Sequence, residues 1–145
     1  MKKPAGVAAE STGEPVTVLV IGAGPCIEDL RRILGHSRWT VLRARSLAEA
    51  GPELNRAGAL VVVCEAALPD GTWTDVLDYA SRLAPAPPVV VAAGQADDCL
   101  WMEVLNNGGY NVLGRPFREQ EVFRILSVAW LHHRGSAPAR VRANA

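Results

Sequence analysis

Gly22-Ala23-Gly24, directly after the apolar run VTVLVI (16–21), is the first place where residue type and spacing point to chemistry. A strand, then Gly-x-Gly, then a helix is how dinucleotide sites bring backbone close to a pyrophosphate. The third glycine of that pattern would fall at residue 27, which is Ile, and the second strand ends Arg43-Ala44-Arg45 instead of in an acid for ribose hydroxyls. An arginine accommodates a 2′-phosphate, so a small nucleotide-binding domain using Gly22-Ala23-Gly24 is one alternative, against a plain small-residue turn. The second place is Glu65, a carboxylate closing the run ALVVVC (59–64) just ahead of Pro69-Asp70-Gly71. Arg115, after YNVLG (110–114), is the cation expected beside Glu65 at the same sheet edge. Cys26, Cys64 and Cys99 form no CxxC and are expected as reduced thiols, the first two buried and inert. His36, His132 and His133 fall at helix ends, where imidazolium suits the helix dipole, and no spacing suggests a metal cluster.

Alternating strand and helix signals must position these residues. VTVLVI (16–21), ALVVVC (59–64) and VVVAA (89–93) are continuous apolar runs of the kind that a strand buried on both faces requires. WTVLRA (39–44) and YNVLG (110–114) complete five strands. Pro25 suits the first turn of a helix carrying Ile27, Leu30, Ile33 and Leu34 on one face. Ser46-Leu-Ala-Glu49 is a capping box, although Gly51-Pro52 is expected to break or kink the helix after one turn. Thr72 caps a helix to about Leu83, residues 96–107 form an acid-capped helix, and residues 118–132 form the last. The count is (βα)₅ with short connections, which predicts a three-layer α/β/α sandwich around a parallel five-stranded sheet.

The 145 residues suffice for one domain, and 49% hydrophobic against 21% charged excludes disorder for the body of the chain. The 15 Lys+Arg balance the 15 Asp+Glu, so nothing draws the chain to nucleic acid or an anionic membrane. The balance hides an asymmetry: residues 16–131 hold 10 Arg against 13 acids, a net of −3, and the basic surplus sits at the ends. Residues 1–15 and 133–145 are expected to be flexible tails around a folded 16–132. The N-terminus has no apolar segment of secretory type, and no run approaches the ~20 residues of a membrane helix, so a cytoplasmic protein is expected.

Residues 59–71, ALVVVCEAALPDG, together with the Pro88-led fourth strand, Gly108-Gly109 before the fifth, and Arg115-Pro116-Phe117 after it, resemble a bacterial response-regulator receiver domain of the CheY-like superfamily. The likeness spans about residues 16–131 and implies the flavodoxin-like strand order 2-1-3-4-5. It also implies a role in two-component or phosphorelay signalling. Receivers accept a phosphoryl group on an aspartate four residues before the loop proline; that position here is Glu65. The acid pair that holds Mg²⁺ falls at Gly22 and Ala23, the hydroxyl residue of strand four at Ala93, and the lysine before Pro-Phe at Arg115. The aromatic switch residue corresponds to Val112, the small residue after the loop proline to Trp73, and the Arg115-Pro116 bond is expected to be cis.

Mg²⁺ takes octahedral oxygen ligands and neutralises charge on a transferring phosphoryl group. With one carboxylate left and no Ala93 hydroxyl, Mg²⁺ binding is expected to be absent or weak, no cofactor is expected, and no enzymatic activity follows. Glu65 is expected either to pair with Arg115 or to stand in for a phosphoryl charge. The chain is accordingly expected to be an atypical stand-alone receiver acting as a protein–protein interaction module. Its partner would be a histidine kinase, an output protein or another receiver. The face formed by the fourth helix, fifth strand and fifth helix is where receivers commonly dimerise or meet partners, and Trp101, Phe123 and Trp130 are its candidate anchors. A receiver phosphorylated at an unconventional site is the remaining alternative.

Overall fold

A computed structural model describes residues 16–56, 60–95 and 97–144, with side chains through His132 apart from Arg56. The element order is β1 (Thr17–Ile21), α1 (Pro25–Leu34), β2 (Thr40–Ala44), α2 (Leu47–Arg56), β3 (Val61–Glu65), a two-residue-strand hairpin (Ala67–Leu68 with Gly71–Thr72), α3 (Trp73–Ser81), β4 (Val89–Ala93), α4 (Asp98–Asn106), β5 (Asn111–Gly114) and α5 (Glu119–Asn144). The five long strands form the expected parallel sheet, in the order β2-β1-β3-β4-β5 that the receiver likeness implied.

Successive residues of a strand point to opposite faces, and here both faces are covered. Val18 and Val20 of β1 pack with Ile27, Leu30 and Leu34 of α1 and with Val122 and Leu126 of α5. Leu19 and Ile21 face the other layer, built on Leu54 of α2, Val76 and Leu77 of α3 and Val104 of α4. Each fully buried Val, Leu or Ile contributes about 1.5–3 kcal/mol, which is why the β-branched runs rather than local propensity set the strand positions.

Two boundaries differ from the sequence expectation. Pro52 lies inside α2, which continues to Arg56. The residue before a proline is pushed out of helical geometry by its own Cβ, and here that residue is Gly51, which has none. Ala50 and Leu54 are buried on the same helix, so packing holds the turns on either side of the missing N–H. The last helix does not stop at residue 132 but runs to Asn144. The expectation for residues 1–15 lies outside the described residues.

The peptide bonds Arg115-Pro116 and Ala84-Pro85 are both cis, the first as anticipated.

Candidate functional site

β1 and β3 are neighbours in register, Ile21 opposite Cys64, so the loop after β1 and the end of β3 meet at one edge of the sheet. At Gly22 the backbone takes φ +146°, a region that favours glycine, while its N–H donates to Ala44 O at 2.8 Å. Gly24 is the N-cap of α1 and Pro25 opens the first turn, where its missing N–H would have had no helical partner. Gly24 O accepts from the N–H groups of Ile27 (3.1 Å) and Glu28 (3.3 Å).

Glu65 ends β3 opposite Ala92 and is half-buried. Its carboxylate folds over the β1–α1 loop, and Oε1 accepts the Gly24 N–H at 3.0 Å. A Cβ placed on Gly22 would lie 2.6 Å from Glu65 Oε1 and 2.6 Å from Ile27 Cγ1; one placed on Gly24 would overlap Glu65 Oε2. The two glycines therefore leave the volume that the carboxylate fills. A nucleotide phosphate approaching Gly22-Ala23-Gly24 would meet that carboxylate, and Arg43 is tied to Glu28 at 2.5 Å instead of facing the loop.

The expected Glu65–Arg115 pair does not form. Arg115 Nη2 binds Asp29 Oδ2 at 2.7 Å, and Asp29 Oδ1 binds Arg32 Nη2 at 2.9 Å. Glu65 is engaged by a backbone N–H inside the crevice, whereas Arg115, well exposed at the start of the β5–α5 loop, reaches the acid on α1. Asp29 is thus a site residue that sequence inspection passed over; its i,i+3 spacing to Arg32 was visible, its contact with Arg115 across 86 residues was not.

The crevice has a volume of about 430 Å³ and is lined by Gly24, Cys26, Glu65, Pro69, Ala93 and Gly94. A second hollow of about 470 Å³ shares Gly94 and lies between Asp29, Arg32, Arg115 and Phe117. Burial raises the Cys26 thiol pKa, the Glu65 charge adds to the rise, and Arg115 opposes it. The Cys64 thiol, wholly buried, is pushed up to about 12, first by desolvation and then by the charge of the adjoining Glu65. Ala93 and Val112 are buried, and Trp73 belongs to the same buried cluster as Val112. Among the described residues no group of three His, Cys, Asp or Glu side chains could hold a metal ion.

The three aromatic candidates do not share a surface. Trp101 is exposed on α4, its Nε1 donating to Asn111 Oδ1 of β5 at 3.3 Å. Phe123 and Trp130 are buried, only 4% and 5% exposed, so the expectation that they anchor a partner is corrected. Seven residues apart on α5, they turn toward Trp39 and the α1 layer, and Phe123 meets Trp39 edge-on with centroids 5.0 Å apart at 78°. What α4 exposes instead is Trp101 with Met102 and Leu105.

No family model matches the chain. It is 30% identical over 113 residues to the probable transcriptional regulatory protein TcrX of Mycobacterium tuberculosis, a match covering 76% of this chain and 47% of that one. The chain therefore spans about half the length of the curated relative it matches. Among solved structures it is similar to the signal receiver domain of an HD domain-containing protein from Pseudomonas fluorescens Pf-5, with a TM-score of 0.73, 22% identity and coverage of 84% of this chain and 99% of that one. A CheY-like response-regulator receiver domain from Methanospirillum hungatei JF-1 gives a TM-score of 0.73 at 18% identity, covering 85% and 99%. The beryllofluoride-activated NtrC4 receiver domain dimer gives 0.71 at 23%, covering 81% and 98%. The fold is that of response-regulator receiver domains. Among the described residues no helix is long and apolar enough to cross a membrane.

Proposed function

We propose that this chain is an atypical receiver module of two-component or phosphorelay signalling that acts through protein–protein contact and carries out no phosphotransfer. The observation that carries it is the state of Glu65. It stands at the end of β3, in the crevice beyond the carboxyl ends of the strands where open α/β sheets place their working site. Its carboxylate is already hydrogen-bonded to Gly24. Gly22 and Ala23, which the receiver likeness aligns with the metal-binding acid pair, supply no second carboxylate.

That donor set does not fit Mg²⁺, which seeks six oxygens in near-ideal octahedral geometry. No step is therefore routed through a metal, and Ala93 offers no hydroxyl to a phosphoryl oxygen. Output then depends on surface: a kinase, an output protein or another receiver, met in the cytoplasm at the α4–β5–α5 face around Trp101. One relative in fold is described as a receiver domain dimer, which is consistent with a second copy on that face.

Intact mass after incubation with Mg²⁺ and a small phosphodonor tests the proposal. The expected outcome is an unchanged mass. A gain of about 80 Da, one phosphoryl group, overturns it and makes the chain a phosphorylated receiver with an unconventional site.

A further inference from the structure

We propose that Glu65 is a tethered anionic ligand of the α1 N-terminus, closing the crevice to free oxyanions and fastening the β1–α1 loop to the end of β3. This deepens the reading of the crevice as a non-phosphorylated site, although the contact itself does not depend on that reading.

A helix N-terminus presents partly positive N–H groups and attracts anions. α1 has ten residues, and the anion found at its start is the chain's own carboxylate, 3.0 Å from the Gly24 nitrogen. The pocket that receives it is made by two missing side chains. A Cβ at Gly22 or Gly24 would fall on the carboxylate oxygens, so the glycines and Glu65 fit as a set. The length of glutamate matters as well, because an aspartate at residue 65 is one methylene shorter and would draw the carboxylate back from Gly24.

What excludes a second anion is the Glu65 carboxylate itself. Arg115 and Arg32 share the one carboxylate of Asp29, so their charge is only partly offset, and Arg115 still acts on Cys26 in the crevice wall. A phosphate entering the crevice would have to displace Glu65 from the Gly24 N–H and accept its negative charge alongside. The crevice is therefore a helix-end anion site with its occupant built in, held in one state without phosphorylation.

Titration of the ¹⁵N-labelled full chain with inorganic phosphate tests this. In the wild type the Gly24 amide is expected not to respond. In Glu65→Ala it is expected to exchange with solvent about tenfold faster or more, the factor that one hydrogen bond to a charged group represents, and to shift saturably with phosphate. A wild-type Gly24 amide that already shifts saturably, or a Glu65→Ala amide unchanged in exchange and in phosphate response, overturns the proposal.

Gly24→Ala provides a second arm. Gly24 has φ −91° and ψ 179°, which alanine adopts freely, so any penalty beyond that of an alanine N-cap comes from the contact with Glu65. The melting temperature is expected to fall on Gly24→Ala, and by less than half as much in a Glu65→Ala background. Equal falls in the two backgrounds overturn the proposal. A phosphoryl mass gain accompanied by this coupling would sink the proposed function and leave the tethered ligand standing.

Discussion

Asp70, in the turn of the short hairpin after β3, caps a helix from which it is 23 residues removed: its Oδ1 accepts the Leu47 N–H at 2.8 Å, and its Oδ2 accepts the Ala48 N–H at 3.0 Å. The first N–H groups of a helix have no partner within it, and here side chains supply them. Ser46 Oγ takes the Glu49 N–H at 3.2 Å, and Glu49 reaches back to the Arg45 N–H at 2.8 Å. The hairpin is thereby fastened to α2, which steadies the loop that carries Pro69 along one wall of the crevice.

The two N–H groups, Leu47 first and then Ala48, hold the Asp70 carboxyl below its ordinary pKa of 3.8. A carboxyl lowered on folding stabilises fully above its unfolded pKa, and that contribution is lost as pH falls through the folded value. The resistance of the wild type to urea is expected to fall steadily as pH drops below the ordinary aspartate range. Asp70→Ala is expected to have a lower midpoint at neutral pH and a shallower decline in acid. Parallel acid limbs for the two proteins would show that the contact contributes no stability.

Phe123 and Trp130 give a prediction of opposite character to the one the receiver likeness suggested. Because both are buried in the α1–α5 layer, Phe123→Ala and Trp130→Ala are each expected to cost about 3–5 kcal/mol of unfolding free energy. Chemical denaturation measures this directly. A Phe123→Ala protein as stable as the wild type would return the residue to the surface.

The parts of the fold that depend on chain-local patterning could be read from the sequence. β1, β3 and β4 are Val-rich apolar runs because both their faces are covered, and such runs announce themselves without any partner being known. On α5, Val122, Ile125, Leu126 and Ala129 lie inward, and the apolar stripe is wide enough to take in Phe123 and Trp130 as well, a width that spacing along one helix does not reveal. That width depends on Trp39, 84 residues earlier, filling the space opposite Phe123. The site divides the same way. Glu65, Gly22 and Gly24 were visible as residues of interest, yet their mutual fit is a contact across 41 residues, and the pairing of Arg115 with Asp29 instead of Glu65 is a contact across 86.

The three cysteines are expected to separate by reactivity. The thiolate is the reactive form, and burial disfavours it. Cys64 is inaccessible with a pKa of about 12, and Cys26 is buried with its pKa raised, whereas Cys99 is exposed at the start of α4. A chromogenic disulfide reagent should modify one thiol of the native protein quickly, and Cys99→Ser should abolish that phase. Unfolding should release the other two. Early modification of Cys26 would mean that the crevice opens more readily than its packing suggests.

Trp101 is the aromatic that the structure leaves for a partner, and its exposure is measurable without one. Of the four tryptophans, Trp39, Trp73 and Trp130 are buried, while Trp101 is 47% exposed. Asp97, Asp98 and Glu103 flank it in the chain, and residues 94–114 contain no Lys or Arg, so a neutral quencher is preferred to iodide. Acrylamide is expected to quench one class of tryptophan readily, and Trp101→Phe to remove that class. The 3.3 Å bond from its Nε1 to Asn111 is long for an N–H donor, so the substitution is expected to change stability by no more than about 0.5 kcal/mol. If a second copy covers α4, quenching should also fall as protein concentration rises, and Trp101→Ala should reverse that fall. A loss of several kcal/mol on Trp101→Phe would place the ring in the core and leave Met102 and Leu105 as the face that a partner meets.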